Sequence, residues 1–141
     1  MDELMELREL VENQDYKKAL LLIDELEEMS REDKLAKIYS HAVVLLVHLI
    51  KQAAEERTTR SWDFSIYNSI KSIKRINQRR KAGGFYANTE QLNEILNDAF
   101  DIALRKSALE AFGGIYTEMQ LLEKINPIEL QQQALDLISG S

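Results

Sequence analysis

Residues Ala42–Ile50 read AVVLLVHLI, nine consecutive residues of which only His48 is polar. A helix through this stretch carries apolar side chains on nearly every side, so other elements must surround it; the reading places it at the centre of a helical bundle. A membrane span needs about 18 or more apolar residues, and this run is half that. The helix that contains it is expected over about Arg31–Arg57, with Thr58 and Thr59 as its break.

Outward from that centre, apolar residues recur at intervals of three and four, and almost nowhere at two. Leu4, Leu7, Leu10 and Val11 make one stripe, Asn13-Gln14-Asp15 a break with Asp15 as N-cap, and Tyr16, Ala19, Leu20, Ile23 and Leu26 the next stripe. Ser30, with Asp33 three residues on, reads as the N-cap of the central helix. A fourth helix starts near Ser61, carries Trp62, Ile66, Ile70, Ile73 and Ile76, and ends before Gly83-Gly84. Asn88 and Gln91 form a capping-box pattern for a fifth helix to about Ala111, with Leu92, Ile95, Ala99, Ile102 or Ala103, and Leu109 inward. Gly113-Gly114 stops it. Thr117 with Gln120 opens a short helix, and Asn126-Pro127 opens the last, with proline at the position where its missing N–H is harmless. The expected fold is all-α: a bundle of about five main helices with short C-terminal helices, in one domain over residues 1–141.

The chain has no cysteine, so disulfides and thiolate zinc sites are excluded and stability must come from packing. Met1 to Glu12 is acidic and shows neither a basic leader nor an apolar core of a signal peptide; a cytoplasmic protein is expected. The net charge is −6 but uneven. Arg57 to Lys81 holds eight basic residues and one acidic one, Asp63, for +7, which leaves −13 for the rest of the chain.

No sequence pattern makes a positive case for an enzyme. His41 and His48 lie seven apart on one helix face, but Ile38 and Leu45, not glutamates, precede them by three, so a di-iron helix pair is unsupported and no third zinc ligand is indicated. A hydrogen-bonded structural role for His48 is the expected one. Glu94, Asp98 and Asp101 share a face and read as solvated carboxylates rather than an acid–base pair. No nucleophile elbow, Walker loop or dinucleotide fingerprint occurs. No catalytic residue, cofactor or metal is expected, and an enzyme around His48 and Lys51 ranks last among the readings. Lys71, Lys74, Arg75, Arg79, Arg80 and Lys81 form a candidate basic contact surface on a helix reaching residue 81. It suits phosphate, an acidic partner, or the chain's own acidic helices. Trp62, the sole tryptophan, is expected to anchor the core near Arg57 and Arg60.

The stretch Leu45 to Ile66, LLVHLIKQAAEERTTRSWDFSI, resembles the central signature of domain-of-unknown-function family number 29, a bacterial family. The matching positions are Leu45, Leu46, His48, Leu49, Lys51, Arg57, Arg60, Ser61, Trp62 and Ile66; Tyr16, Ala19, Leu20, Ile23, Glu25, Leu26 and Met29 resemble the family's earlier helices. Gln52 stands where many members carry Trp, and a Gln-Arg pair expected near Ser69 and Ile70 is absent. The resemblance covers about residues 1–111, with a variable helical tail at about 115–138. It implies an all-helical fold and no established activity. Within the motif, Ser61 is expected to cap the fourth helix, Trp62 to stack over the chain reversal, and Arg57 or Arg60 to bond the end of the central helix or an acid. His48, Lys51, Arg57, Arg60, Ser61 and Trp62 then form a structural staple. The leading functional expectation is a non-enzymatic module that binds a protein, itself or another. A nucleic-acid accessory protein is the alternative, and no membrane partner is expected.

Overall fold

A computed structural model describes residues 2–79 and 83–139. Six α-helices account for most of them: α1 Glu3–Glu12, α2 Tyr16–Glu55, α3 Arg60–Asn77, α4 Thr89–Glu110, α5 Glu118–Leu122 and α6 Pro127–Ser139, with a 3-10 turn at Ala111–Gly114. No strand is present among the described residues, so the all-α reading holds. None of these helices is long and apolar enough to cross a membrane.

The chain divides into two compact units, residues 1–34 and 35–141. In the first, Asp2 caps α1 by accepting from the Leu4 N–H (3.0 Å). Asp15 accepts from the Lys18 N–H (3.3 Å) at the start of α2, as its place in the sequence predicts. Ala19 alone is buried among the described residues of this unit.

The second unit holds the hydrophobic core. Ile38, Ala42, Val43, Leu45, Leu46, Val47, Leu49 and Ile50 of α2 are all buried, so most of the AVVLLVHLI stretch sits in the core, while Val44 is exposed and His48 half-buried on its remaining side. Ile73 of α3, Leu92, Leu96, Ala99, Ala103 and Leu104 of α4, and Leu130, Ala134 and Ile138 of α6 close around it. α4 packs against α5 and α6, and α3 against α6. Ser107 of α4 donates to the Val47 carbonyl (3.3 Å) as well as to Ala103 (2.7 Å), a polar tie across the α2–α4 contact.

The caps of the C-terminal helices follow their sequence signals. Asn88 with Gln91 and Thr117 with Gln120 make complete capping boxes, and Asn126 accepts from the Glu129 N–H (3.2 Å). Three expectations fail. Ser30 does not start a helix: α2 runs through it without a break, because Ser30-Arg-Glu-Asp-Lys contains no Gly or Pro and every residue in it tolerates a helix. Leu109 is exposed rather than inward, since the buried face of α4's last turn is carried by Ser107 and Ala108 and Leu109 lies off it. α3 ends at Asn77 rather than near residue 82. There the Asn77 side chain donates to the Ala87 carbonyl (3.0 Å) and accepts from the Ala87 N–H (2.8 Å), while Gln78 bridges Phe85 antiparallel. Those bonds hold residues 84–87, beyond the first glycine, against the end of α3.

Candidate functional site

α2 ends at Glu55, and Glu56 takes a left-handed conformation (φ 52°) that turns the chain out of the helix. Thr59, not Ser61, then caps α3, its hydroxyl accepting from the Trp62 N–H at 3.1 Å. Both residue types suit a cap; Thr59 has the extended backbone a cap requires, and Ser61 already lies inside the helix. Asp63 in the first turn accepts from Thr58 Oγ1 (2.7 Å) and Gln52 Nε2 (3.3 Å), and Gln52 also donates to Thr58 Oγ1 (2.7 Å). Gln52, where the motif usually carries Trp, thus ties the helix end to the turn.

This reversal brings two cations over the Trp62 ring. Lys51 Nζ and the Arg57 guanidinium carbon each lie 4.8 Å from the ring centroid. Lys51 is nearly buried, its ammonium 3.6 Å from Glu110 Oε2 of α4. Arg57 Nε donates to Glu55 Oε1 (2.9 Å), and Glu55 Oε2 accepts from the Phe112 N–H (3.3 Å). Phe112 is itself left-handed (φ 53°), an unusual state for a bulky residue, and it is held by that bond and by an edge-on contact with Tyr116 at 5.0 Å. Lys124 Nζ stands over both rings, 5.5 Å from Phe112 and 4.8 Å from Tyr116. Trp62 is half-buried, less enclosed than a core anchor. Arg60 and Ser61 are exposed and stand outside the stack.

The remaining chemical candidates are dispersed. His48 lies one turn before Lys51, and its Nδ1 is 2.8 Å from the Val44 carbonyl, a bond that keeps the ring on its own helix. No group of three or more metal-ligating side chains occurs among the described residues. Glu94, Asp98 and Asp101 are exposed, and Asp101 pairs with Arg105 (3.6 Å).

Lys71, Lys74 and Arg75 project from α3 and are exposed; Arg79 follows the helix end, with its guanidinium carbon 5.9 Å from the Tyr86 ring centroid. Arg80 and Lys81 lie outside the described residues. The helical part of the expected basic surface therefore stops at residue 77. Sequence reasoning missed what accompanies it. Phe64 (66% exposed) and Tyr67 (60%) continue the line of Lys71, Lys74 and Arg75 at steps of three and four, so one outer face of α3 alternates aromatic and cationic side chains. Tyr67 and Lys71 already touch, with Nζ 5.7 Å from the ring centroid. The signal is in the spacing of Phe64 and Tyr67 with Lys71, Lys74 and Arg75, which the sequence reading left out. Beyond this ridge, a cleft of about 500 Å³ opens between Lys74, Phe85, Asn88 and Ile138, floored by Asn77 and Leu92.

The model of the family described as domain of unknown function DUF29 matches residues 6–136, and the chain belongs to that family. The match runs through α5 and most of α6, beyond the residue-111 limit that the motif alone suggested. No curated protein and no solved structure matches the chain.

Proposed function

We propose that this DUF29 member is a protein-interaction module whose docking surface is the outer face of α3, and that the Lys51–Trp62–Arg57 stack is the staple that holds α3 in place. One observation carries the reading. Phe64, Tyr67, Lys71, Lys74 and Arg75 form a continuous exposed ridge on a helix whose opposite side, at Ser69 and Ile73, is packed into the core. Aromatic and cationic side chains together are what protein interfaces favour, because they combine large apolar area with directed charge. The staple residues support this role by being spent on one another: Lys51 on Glu110 and Trp62, Arg57 on Glu55.

Affinity capture from the native lysate at low salt, split into nuclease-treated and untreated halves, tests the proposal. A protein that survives nuclease and is lost from Phe64→Ser/Tyr67→Ser supports it. Capture unchanged by those substitutions overturns it.

A second reading has its own observation. Lys71, Lys74, Arg75 and Arg79 are exposed, make no ion pair among the described residues, and continue in sequence into Arg80 and Lys81. That is the electrostatic footprint of phosphate binding. If nucleic acid is the ligand, log affinity falls with log salt at roughly 0.9 per duplex phosphate contact, and nuclease abolishes capture. The acidic remainder of the chain works against this reading.

A further inference from the structure

The α3 ridge has its complement elsewhere in the same sequence. Residues 2–34 hold twelve acidic and five basic side chains, a net −7, against +7 for residues 57–81. Within residues 2–34 the early part of α2 carries Leu21, Glu25, Glu28, Met29 and Glu32 at steps of three and four, all on one side of the helix and all exposed. Leu21 (59% exposed) and Met29 (58%) punctuate the carboxylates as Phe64 and Tyr67 punctuate the bases on α3. Glu25, Glu28 and Glu32 make no ion pair among the described residues, and neither do Lys71, Lys74 and Arg75. Both ridges are α-helical faces of the same pitch, with opposite charge and large apolar groups. Either one alone is an exposed apolar-and-charged strip of the kind that marks an interaction site.

We infer that the occupant of the α3 ridge is the acidic ridge Leu21–Glu32 of a second copy of this chain. The inference rests on the docking role proposed for α3 and names its partner. Charge complementarity selects this occupant. A ridge of three cations meeting one of three carboxylates is attractive over about 8 Å at physiological salt, while like ridges repel: α3 on α3 or 2–34 on 2–34 would oppose charges of one sign. The aromatic and aliphatic side chains supply short-range burial once the helices meet. Because each copy carries both ridges, two copies that exchange them close into a pair, and copies that pass them on form a series.

Sedimentation of the full chain across a concentration series, at low and at physiological salt, reads the assembly. Self-association that weakens with salt is expected; a monomer at every concentration and salt overturns the inference. Two reversed variants make the test specific. Lys71→Glu/Lys74→Glu/Arg75→Glu and Glu25→Lys/Glu28→Lys/Glu32→Lys should each raise the concentration needed for association by at least about tenfold, as like charges replace unlike ones. Mixed together, the two should associate again, since each then offers the other a complementary ridge; recovery also shows that both variants are folded. Failure to recover in a mixture of two variants with unchanged helical circular dichroism overturns the inference. Its failure is separable from failure of the docking role. Phe64→Ser/Tyr67→Ser that loses a foreign protein from an otherwise monomeric chain leaves α3 a docking face and removes the second copy from it.

Discussion

At the turn between α2 and α3, two neighbouring hydroxyl residues have different work. Thr59 supplies the cap and Ser61 points to solvent from the first turn of α3. Thr59→Ala should therefore cost about 1 kcal/mol, and Ser61→Ala should leave stability within about 0.5 kcal/mol of the parent, as read from urea midpoints. Equal costs would return the cap to Ser61. The stack beside them separates charge from packing. Removing Trp62 strips the surface on which Lys51 and Arg57 lie, and Trp62→Ala should cost about 2–3 kcal/mol, below the full core value because the ring is half-exposed. Lys51→Met keeps the stem and releases Glu110, which is half-exposed and rehydrates; the change should stay within about 1 kcal/mol. A Lys51→Met cost as large as that of Trp62→Ala would mean that the buried ammonium, not the ring, holds the reversal. The nearness of Lys51 to Trp62 was legible from the motif, because a helix, a two-threonine break and a second helix bring them together by local geometry alone. Glu110 and Phe112 were not, since they reach the stack from the end of α4 and the turn after it, more than fifty residues away.

Among the helices, the same distinction between local and distant causes decides which boundaries could be read. Asn88, Thr117 and Asn126 are caps whose partners lie three residues on, so the bonds that fix them are written within one turn of sequence. The end of α3 at Asn77 depends on Ala87, ten residues away in a turn whose course has no fixed sequence signature. Ser30 carries a cap signal without a stop before it, and it lies inside α2, which runs unbroken over 40 residues. Substitution distinguishes the two roles by sign. A capping serine loses about 1 kcal/mol on change to alanine. An interior helical serine gains about 0.5 kcal/mol, because alanine competes less with the helix for backbone hydrogen bonds. Ser30→Ala is expected to raise the unfolding midpoint, and a lower midpoint would restore a break at residue 30. Ser30→Pro should cost about 3 kcal/mol or more of helix stability, read as lost helical ellipticity in far-UV circular dichroism.

Across the molecule, burial and charge are distributed in opposite ways. Residues 38–54 hold nine buried apolar side chains, and residues 2–34 hold one, Ala19. The acidic excess is concentrated where burial is least. Helical backbone bonds form in both stretches, but their protection against solvent differs, because opening a helix with few buried contacts exposes little apolar area. Native-state hydrogen exchange should therefore show two tiers. Amides of α1 and of α2 up to about residue 34 should exchange through local openings of low free energy, while those from Ile38 to Ala54 should exchange only near global unfolding. A single tier, with residues 16–34 protected as strongly as 42–54, would make the whole chain one cooperative unit in spite of its uneven core. Repeating the measurement at higher protein concentration links this gradient to assembly. If copies associate through Leu21–Glu32, protection of that segment rises with concentration while that of Ile38–Ala54 stays fixed, since binding stabilises the segment it covers and not the core already at the global limit.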